Sequence, residues 1–264
     1  MLYTFQGGSD GLFPRGGLIA DISGNFYGVT DEGGYGTECC GTVFEVQPSG
    51  TKITLYTFQG GSDGAYPVGG LIADASGNLY GTTGLGGGTG CGGDGCGTVF
   101  KLTPGGAETV LYAFQGNNDG AGPLAGLIAD GSGNFYGTTM AGGASDAGTV
   151  FEITPTSQET VLYSFKNGSD GAFPEAGLIM DKKGNLYGTT YGGGETVCKK
   201  VGSCGTAFEL TPDGAETVLC RFDKAGGSNP AAPLLAGAHG ALFGTTYAGG
   251  KGNNGAVFEL KLSR

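Results

Sequence analysis

The chain has 264 residues, 60 of them glycine, and its 24 acidic and 13 basic side chains give a formal net charge of −11. This charge repels phosphate backbones, and no basic patch with interleaved aromatic residues is present, so nucleic-acid binding is not expected. No stretch approaches the roughly 18 apolar residues that a membrane-spanning helix needs, so membrane insertion is not expected either. Met1 is followed at once by a predicted strand, and we therefore expect no signal peptide in this sequence.

Short strands that repeat with a long period are predicted from the first residues onward. LYTF (2–5) is typical of a strand, and similar runs start further along the chain at Leu55, Leu111, Leu162 and Leu219. A period of about 50 residues is typical of propellers and arrays. The glycines fall at fixed places in this period, which argues against a disordered chain.

The second unit contains the whole repeat. Its apolar runs are bounded by Gly, Pro, Asn or Asp, and they are GLIAD (70–74), GNLYGTT (77–83), GTVFKLT (97–103) and ETVLYAF (108–114). Each run predicts one short strand. DASGN predicts a tight hairpin in which Asp74 caps the turn and Gly77 is left-handed, and TPGGAE (103–108) predicts a second hairpin.

Four strands per unit predict an all-β, five-bladed β-propeller with four antiparallel strands in each blade. The blades cover approximately residues 18–58, 71–114, 127–165, 178–222, and 234–262 plus 2–5, within a single domain over 1–264. The sequence ends on a third strand and begins on a fourth strand. We therefore expect residues 2–5 to pair with residues 257–262 and close the ring; a linear array is the alternative.

Because the strand direction alternates, the long loops all lie on one face of the fold. This face is the predicted binding surface. The crossovers between units carry Asp10, Asp63, Asp119 and Asp170, and an aromatic residue precedes the proline at Phe13, Tyr66 and Phe173. A carboxylate beside a ring suits polar ligands such as sugars. Alternatively, each aspartate caps its own turn and the aromatic packs between blades. Calcium on these carboxylates is a further alternative, although one carboxylate per loop is few for Ca²⁺.

Six of the seven cysteines lie in the loops between the second and third strands of three units. We expect Cys91–Cys96 and Cys198–Cys204 disulfides, with Cys39 and Cys40 either forming a vicinal bridge or staying reduced. Disulfides indicate an oxidising compartment, so the predicted location is secreted or on the cell surface. Zinc is the alternative, but no histidine accompanies these cysteines, and we expect no metal centre.

The segments GLIADASGNLYGTT, GTVFKLTP and ETVLYAF closely resemble the bacterial GloVer family of Gloeobacter/Verrucomicrobia-type tandem repeats, over essentially the whole chain. The last unit departs from the pattern, with Gly237 for Asp, Ala241 for Asn and Phe243 for Tyr. The resemblance implies secreted or surface-anchored bacterial proteins. It implies no particular activity and no catalytic residues.

Three classes of function remain on sequence grounds. The favoured class is a non-enzymatic extracellular binding or adhesion module for glycans, in which repeated weak sites add avidity. The second is a structural component of the envelope or matrix, and the third is a polysaccharide-acting enzyme using carboxylates such as Asp94, Glu175, Glu195 and Asp223. We expect no catalytic residues and no cofactor, with Ca²⁺ as the alternative, and we expect a monomer with a glycan or an extracellular protein as partner.

Overall fold

A computed structural model describes residues 1–35, 39–194 and 204–262. These residues form nineteen β-strands in five antiparallel sheets, together with three short 3-10 turns, and contain no α-helix. In this part of the chain, no helix is long and apolar enough to cross a membrane. The chain divides into two compact units, and each carries its own sheets.

Unit 1 (Met1–Gly116 with Ala121–Leu127) contains two four-stranded sheets in which strands adjacent in sequence are adjacent in space. Sheet 1 consists of β1 (Ile19–Ala20), β2 (Phe26–Tyr35), β3 (Cys39–Val46) and β4 (Lys52–Thr57). Sheet 2 consists of β5 (Ile72–Ala73), β6 (Leu79–Thr83), β7 (Thr98–Leu102) and β8 (Glu108–Ala113).

Unit 2 (Asn117–Gly120 with Ile128–Arg264) contains three sheets of the same kind. Sheet 3 consists of β9 (Ile128–Ala129), β10 (Phe135–Thr139), β11 (Thr149–Ile153) and β12 (Glu159–Ser164). Sheet 4 consists of β13 (Ile179–Met180), β14 (Leu186–Thr190), β15 (Thr206–Leu210) and β16 (Glu216–Arg221). Sheet 5 has three strands, β17 (Leu235–Ala236), β18 (Ala241–Thr246) and β19 (Ala256–Lys261).

The hairpin between β5 and β6 shows why the sequence turns where it does. The Asp74 carboxylate accepts hydrogen bonds from the Ser76 and Asn78 backbone N–H groups at 2.8 and 3.0 Å, and Gly77 has a φ of 78°. A side chain that accepts from the backbone two and four residues on, followed by a left-handed glycine, stabilises a tight turn. Asp21, Asp130 and Asp181 make the same bonds in their own hairpins.

Consecutive sheets within a unit pack through phenylalanines. The buried Phe58, which follows β4, stacks edge-on against Phe100 in sheet 2 with ring centroids 5.1 Å apart. In unit 2, Phe165 packs on Phe208 at 5.2 Å, and Phe222 packs on Phe258 at 4.8 Å. Sheets 2, 4 and 5 therefore each pack one face against the phenylalanine supplied by the sheet before it.

The predicted all-β repeat architecture is confirmed, and four of the five sheets have the predicted four strands. Residues 2–5 form no strand in the structure, and sheet 5 ends at β19. Val257 in β19 is 80% exposed, whereas Val99 at the equivalent position of sheet 2 is fully buried. Closure of a five-bladed ring and the single domain over 1–264 stay predictions.

Candidate functional site

The crossover loops (residues 6–14, 59–67, 115–123 and 166–174) carry the predicted binding aspartates. Asp63 accepts hydrogen bonds from the Gln59 N–H and the Tyr56 hydroxyl, both at 2.9 Å, so its carboxylate lies within its own loop. Asp170 accepts equivalent bonds from the Lys166 N–H and the Tyr163 hydroxyl.

The same carboxylate position is occupied in the first and third crossovers. Asp10 accepts from the Gln6 N–H and the Tyr3 hydroxyl, both at 2.7 Å, and Asp119 accepts from the Asn117 N–H at 3.3 Å. These bonds give the four aspartates a structural role in their loops. Their predicted role in ligand binding stays a prediction.

The three crossover aromatics occupy a strained backbone position. Phe13, Tyr66 and Phe173 have φ values of 56°, 58° and 57°, and glycine stands at the same place in the third loop as Gly122. The backbone N–H of Tyr66 donates to the Cys40 carbonyl, and both Tyr66 and Phe173 pack against the cores of their units. Phe13 is 53% exposed. Loop anchoring accounts for two of the three rings.

The predicted Cys91–Cys96 disulfide is present, and of the two alternatives left open for Cys39 and Cys40 the structure has the vicinal bridge. Cys91 pairs with Cys96, with Cα atoms 5.4 Å apart, and Cys39 pairs with its neighbour Cys40. Cys204 is also disulfide-bonded, while its predicted partner Cys198 lies outside the described residues. These bonds indicate an oxidising environment, which is compatible with secretion. Cys220 is a free, half-buried thiol.

No metal centre is found in the described ranges, where no three His, Cys, Asp or Glu side chains converge on a common point. Calcium at the crossover carboxylates stays a prediction.

A cavity of about 740 Å³ lies within unit 2, between sheets 3 and 4, and we call it the hairpin cavity. It is formed by the tight hairpins β9–β10 and β13–β14 rather than by the long loops that the sequence favours. Its lining residues are Ala129, Asp130, Gly131, Tyr136, Glu152, Leu162, Met180, Asp181, Lys182, Lys183, Gly184, Leu186, Thr211 and Pro212.

One wall of the hairpin cavity is a tyrosine between two carboxylates. The Tyr136 hydroxyl lies 2.9 Å from Glu152 Oε1 and 3.2 Å from Asp130 Oδ2, so it donates its one proton to either carboxylate. Burial and the hydrogen bond to Glu152 raise the pKa of Tyr136 above its usual value. The phenol therefore stays protonated at neutral pH and holds Glu152 in place.

Asp130 is a fixed anion. Burial raises its pKa. Hydrogen bonds from the backbone N–H groups of Asn134 and Ser132 and from the Asn134 side chain lower the pKa by more than burial raises it, so the net pKa is below the usual value. Asp181 in sheet 4 is held in the same way and also has a lowered pKa. Of the three carboxylates in the cavity, only Glu152 lacks such a cluster of backbone donors.

Lys182 and Lys183, at the tip of the β13–β14 hairpin, also line the cavity, and both are exposed. The corresponding tips are Ile22-Ser23, Ala75-Ser76 and Gly131-Ser132 in the other four-stranded sheets. The turn aspartates recur in all four sheets, as a structural motif should, whereas the two lysines occur once. This break in the repeat is the sequence signal that identifies the hairpin cavity.

Comparison with known families shows that residues 89–264 match the Gloeobacter/Verrucomicrobia repeat. The chain therefore belongs to this repeat family. Its sequence has no significant match among curated proteins.

Several solved structures share the fold. A gluconolactonase from Xanthomonas campestris has a TM-score of 0.55 at 15% identity, over 94% of this chain and 73% of that one. A luciferin-regenerating enzyme has a TM-score of 0.54 at 12% identity, over 93% of this chain and 76% of that one. The extracellular domain assigned to a one-component system of B. thetaiotaomicron has a TM-score of 0.57 at 10% identity, and the match spans 93% of this chain and 27% of that one.

These structures correct the functional prediction. The favoured class was a non-enzymatic binding or adhesion module, with an envelope or matrix component as the second class. The similar folds include a gluconolactonase and a luciferin-regenerating enzyme, and this finding contradicts the non-enzymatic interpretation. The repeated carboxylates that suggested avidity are held inside their own loops.

Proposed function

We propose that this chain is a hydrolase that opens a lactone, or cleaves a related ester, of a small polyhydroxylated compound in the hairpin cavity. The observation that carries the proposal is Glu152, a carboxylate oriented by Tyr136 at 2.9 Å, in a cavity that Lys182 and Lys183 also line. This chain is similar in fold to two enzymes, one of them a gluconolactonase, and this similarity supports lactone hydrolysis as the reaction class.

The cavity favours attack on a carbonyl over cleavage of a glycosidic bond. A glycosidase needs a protonated carboxylic acid beside a carboxylate, and the acid has a raised pKa. Here the neighbour of Glu152 is Asp130, whose pKa is lowered by its hydrogen bonds. A single carboxylate base, in a cavity that two lysines also line, suits ester hydrolysis instead.

The proposed reaction uses water as the nucleophile. Glu152 takes a proton from a water molecule as its oxygen bonds to the carbonyl carbon, and an ammonium group of Lys182 or Lys183 stabilises the negative oxygen that forms. The carbon–oxygen bond of the ring then breaks, and the departing alkoxide receives the proton from Glu152. The product is an open-chain hydroxy acid.

The test is hydrolysis of a panel of aldonolactones, followed by pH-stat titration with the spontaneous rate subtracted. Glu152→Gln should lower kcat/KM by about 100-fold, which is typical of losing a general base. Glu209→Gln is the matched control, because Glu209 Oε1 accepts an equivalent bond from Tyr187 at 3.0 Å but does not line the cavity. Rates no higher than the spontaneous rate across the panel, or equal losses in both variants, would refute the proposal.

We also propose that the five sheets form one closed propeller over 1–264, with residues 2–5 as the missing fourth strand of sheet 5. Phe5 packs on Phe44 at 5.0 Å, as Phe58 packs on Phe100, so this segment already contacts sheet 1 like the end of a preceding sheet. The protein is proposed to be secreted or surface-located and monomeric. The disulfides support the first of these properties.

A further inference from the structure

In sheets 1 to 4, the first residue of the fourth strand (β4, β8, β12 or β16) faces the aspartate of a crossover loop. In sheet 1 this residue is Lys52, and in the next three sheets it is a glutamate: Glu108, Glu159 and Glu216. The same position of the repeat thus has a basic side chain in sheet 1 and an acidic side chain in sheets 2 to 4. The hydrogen bonds of the loop aspartates are otherwise repeated between the units.

Lys52 completes the first loop. Its ammonium group, on a side chain only 4% exposed, lies 3.1 Å from Asp10 Oδ1 and 2.7 Å from the Asp10 carbonyl oxygen. The lysine and the Tyr3 hydroxyl together neutralise and anchor the carboxylate that holds the Gln6 N–H.

The glutamates at the equivalent position do not provide the cation that Lys52 provides in the first loop. One carboxyl oxygen of each (Oε1 of Glu108, Glu159 and Glu216) is buried and has no hydrogen-bond partner in the described structure. Burial and the charge of Asp63 raise the pKa of Glu108 to about 7, and burial and Asp119 do the same for Glu159. Glu108 and Glu159 therefore change charge near neutral pH, and burial and the charge of Asp170 raise the pKa of Glu216 as well.

We propose that Glu108 and Glu216 act as proton-controlled latches on the second and fourth crossover loops, closed when the glutamate is protonated and open when it is ionised. Ionisation adds a second negative charge to the partly buried surroundings of the loop aspartate, and the repulsion between the two charges weakens the aspartate anchor of the loop. The first loop, with Lys52, has no such latch and stays closed at any pH near neutrality.

The groups that face each latch determine its strength. Glu108 faces Asp63 and the Tyr56 hydroxyl, and in the part of the chain that the structure describes no cation is among the groups that shift its pKa. Glu216 faces Asp170 and Tyr163, together with Arg221 and Lys166, whose positive charges lower its pKa and partly offset the effect of burial and of Asp170. We therefore expect the second loop to respond more strongly than the fourth.

The experiment is hydrogen exchange by NMR between pH 6 and pH 8.5 on the intact protein. It compares the amides of Gln6, Gln59 and Lys166, each of which donates to the aspartate of its own loop. After correction for intrinsic exchange, the protection of Gln59 should fall about tenfold across this range, because loop opening is linked to loss of a proton. The protection of Gln6 should not change.

Two variants separate the latch from general loosening. Glu108→Gln removes the ionisation and should abolish the pH dependence at Gln59 while leaving that at Lys166 intact. Glu108→Lys reproduces the arrangement of the first loop and should protect Gln59 at every pH. An equal pH dependence at Gln6 and Gln59, or an unchanged profile in Glu108→Gln, would overturn the proposal.

Discussion

Gly81 shows, for a single residue, why the segment YGTT occurs three times in the chain, at 80–83, 136–139 and 187–190. A Cβ atom on Gly81 would lie 2.7 Å from Phe100 Cζ and 2.9 Å from Leu71 Cδ2, well inside contact distance. The glycine lets the phenylalanine of the third strand lie flat across the second strand. Gly188 has the same neighbours in sheet 4, Phe208 and Leu178.

The Gly81→Ala substitution should therefore destabilise the protein by about 1 to 3 kcal/mol, the usual range for overpacking a core. Urea denaturation monitored by tyrosine fluorescence measures the change. Gly105→Ala is the control, since its nearest neighbour is Thr103 Oγ1 at 3.8 Å. A loss at Gly81 no greater than at Gly105 would contradict this account of the repeat.

Glu108 makes stability depend on pH in a defined direction. Its pKa rises from the ordinary value of 4.5 in the unfolded chain to about 7 on folding, so the folded state binds the proton more tightly. The stabilisation is complete below pH 4.5 and is lost as the pH rises through about 7. Glu159, with the same shift, adds to the effect.

The unfolding free energy should thus be lower at pH 8 than at pH 5.5, by on the order of 1 kcal/mol per glutamate after solvent screening. Urea titrations at the two pH values measure this difference. Glu108→Gln should reduce it, whereas Lys52→Gln, which breaks the bond to Asp10, should destabilise the protein at both values. A wild-type protein equally stable at both pH values would contradict the argument.

At the scale of one element, the Cys91–Cys96 bond closes the loop that leads into β7. Without this bond, the unfolded chain is no longer constrained to close a small loop. In the chain-entropy model, that constraint contributes about 2 kcal/mol to stability. We expect the double variant Cys91→Ser/Cys96→Ser to lose that amount in urea unfolding.

Sheet 3 provides a natural comparison for this disulfide, because Ala147 stands where sheet 2 has Cys96 and it is fully buried. The sheet therefore forms without a cysteine at this position, and the double variant should still fold. A variant as stable as the wild type would contradict this prediction, because the bond would then not stabilise the protein by constraining the unfolded chain. The mass difference between oxidised and reduced wild-type protein verifies the bond itself.

The elements themselves were predictable from sequence, because turn residues bound each of them. Asp74 and Gly77 mark the β5–β6 hairpin, and β6 follows within two residues. That Asp63 caps its own turn was one of the two interpretations open from sequence, whereas its bond from the Tyr56 hydroxyl at 2.9 Å was not predictable, since Tyr56 lies outside the loop. The hairpin cavity was missed because Glu152 and Lys182 lie in different sheets, and only packing within unit 2 brings them together.

At the scale of the whole molecule, sheet 5 has three strands instead of four, and residues 2–5 have the sequence of a fourth strand but form none. Val257 is 80% exposed although its counterparts Val43, Val99 and Val150 are fully buried. Leu2 is 53% exposed, and its sequence LYTF repeats that of residues 55–58. An unpaired strand edge is a site for association, and pairing these two segments removes it.

The register of that pairing can be derived from sheet 2, where Thr98 faces Ala113 and Val99 faces Tyr112. By the same register, Ala256 should face Thr4. Paired strand positions lie about 4.5 to 5.5 Å apart between Cα atoms, which a disulfide can span. In a Cys220→Ala background, which removes the free thiol, Thr4→Cys/Ala256→Cys should therefore oxidise within one chain.

Non-reducing electrophoresis and intact mass distinguish the outcomes. A monomeric cross-linked product with raised thermal stability supports ring closure, and Thr4→Cys/Lys261→Cys, at the far end of β19, should stay reduced. Disulfide-linked dimers would instead mean that the opening segment pairs with β19 of another copy, which contradicts the closed monomer. Free thiols in both variants would contradict pairing of these segments altogether, because the register leaves no other partner for Ala256.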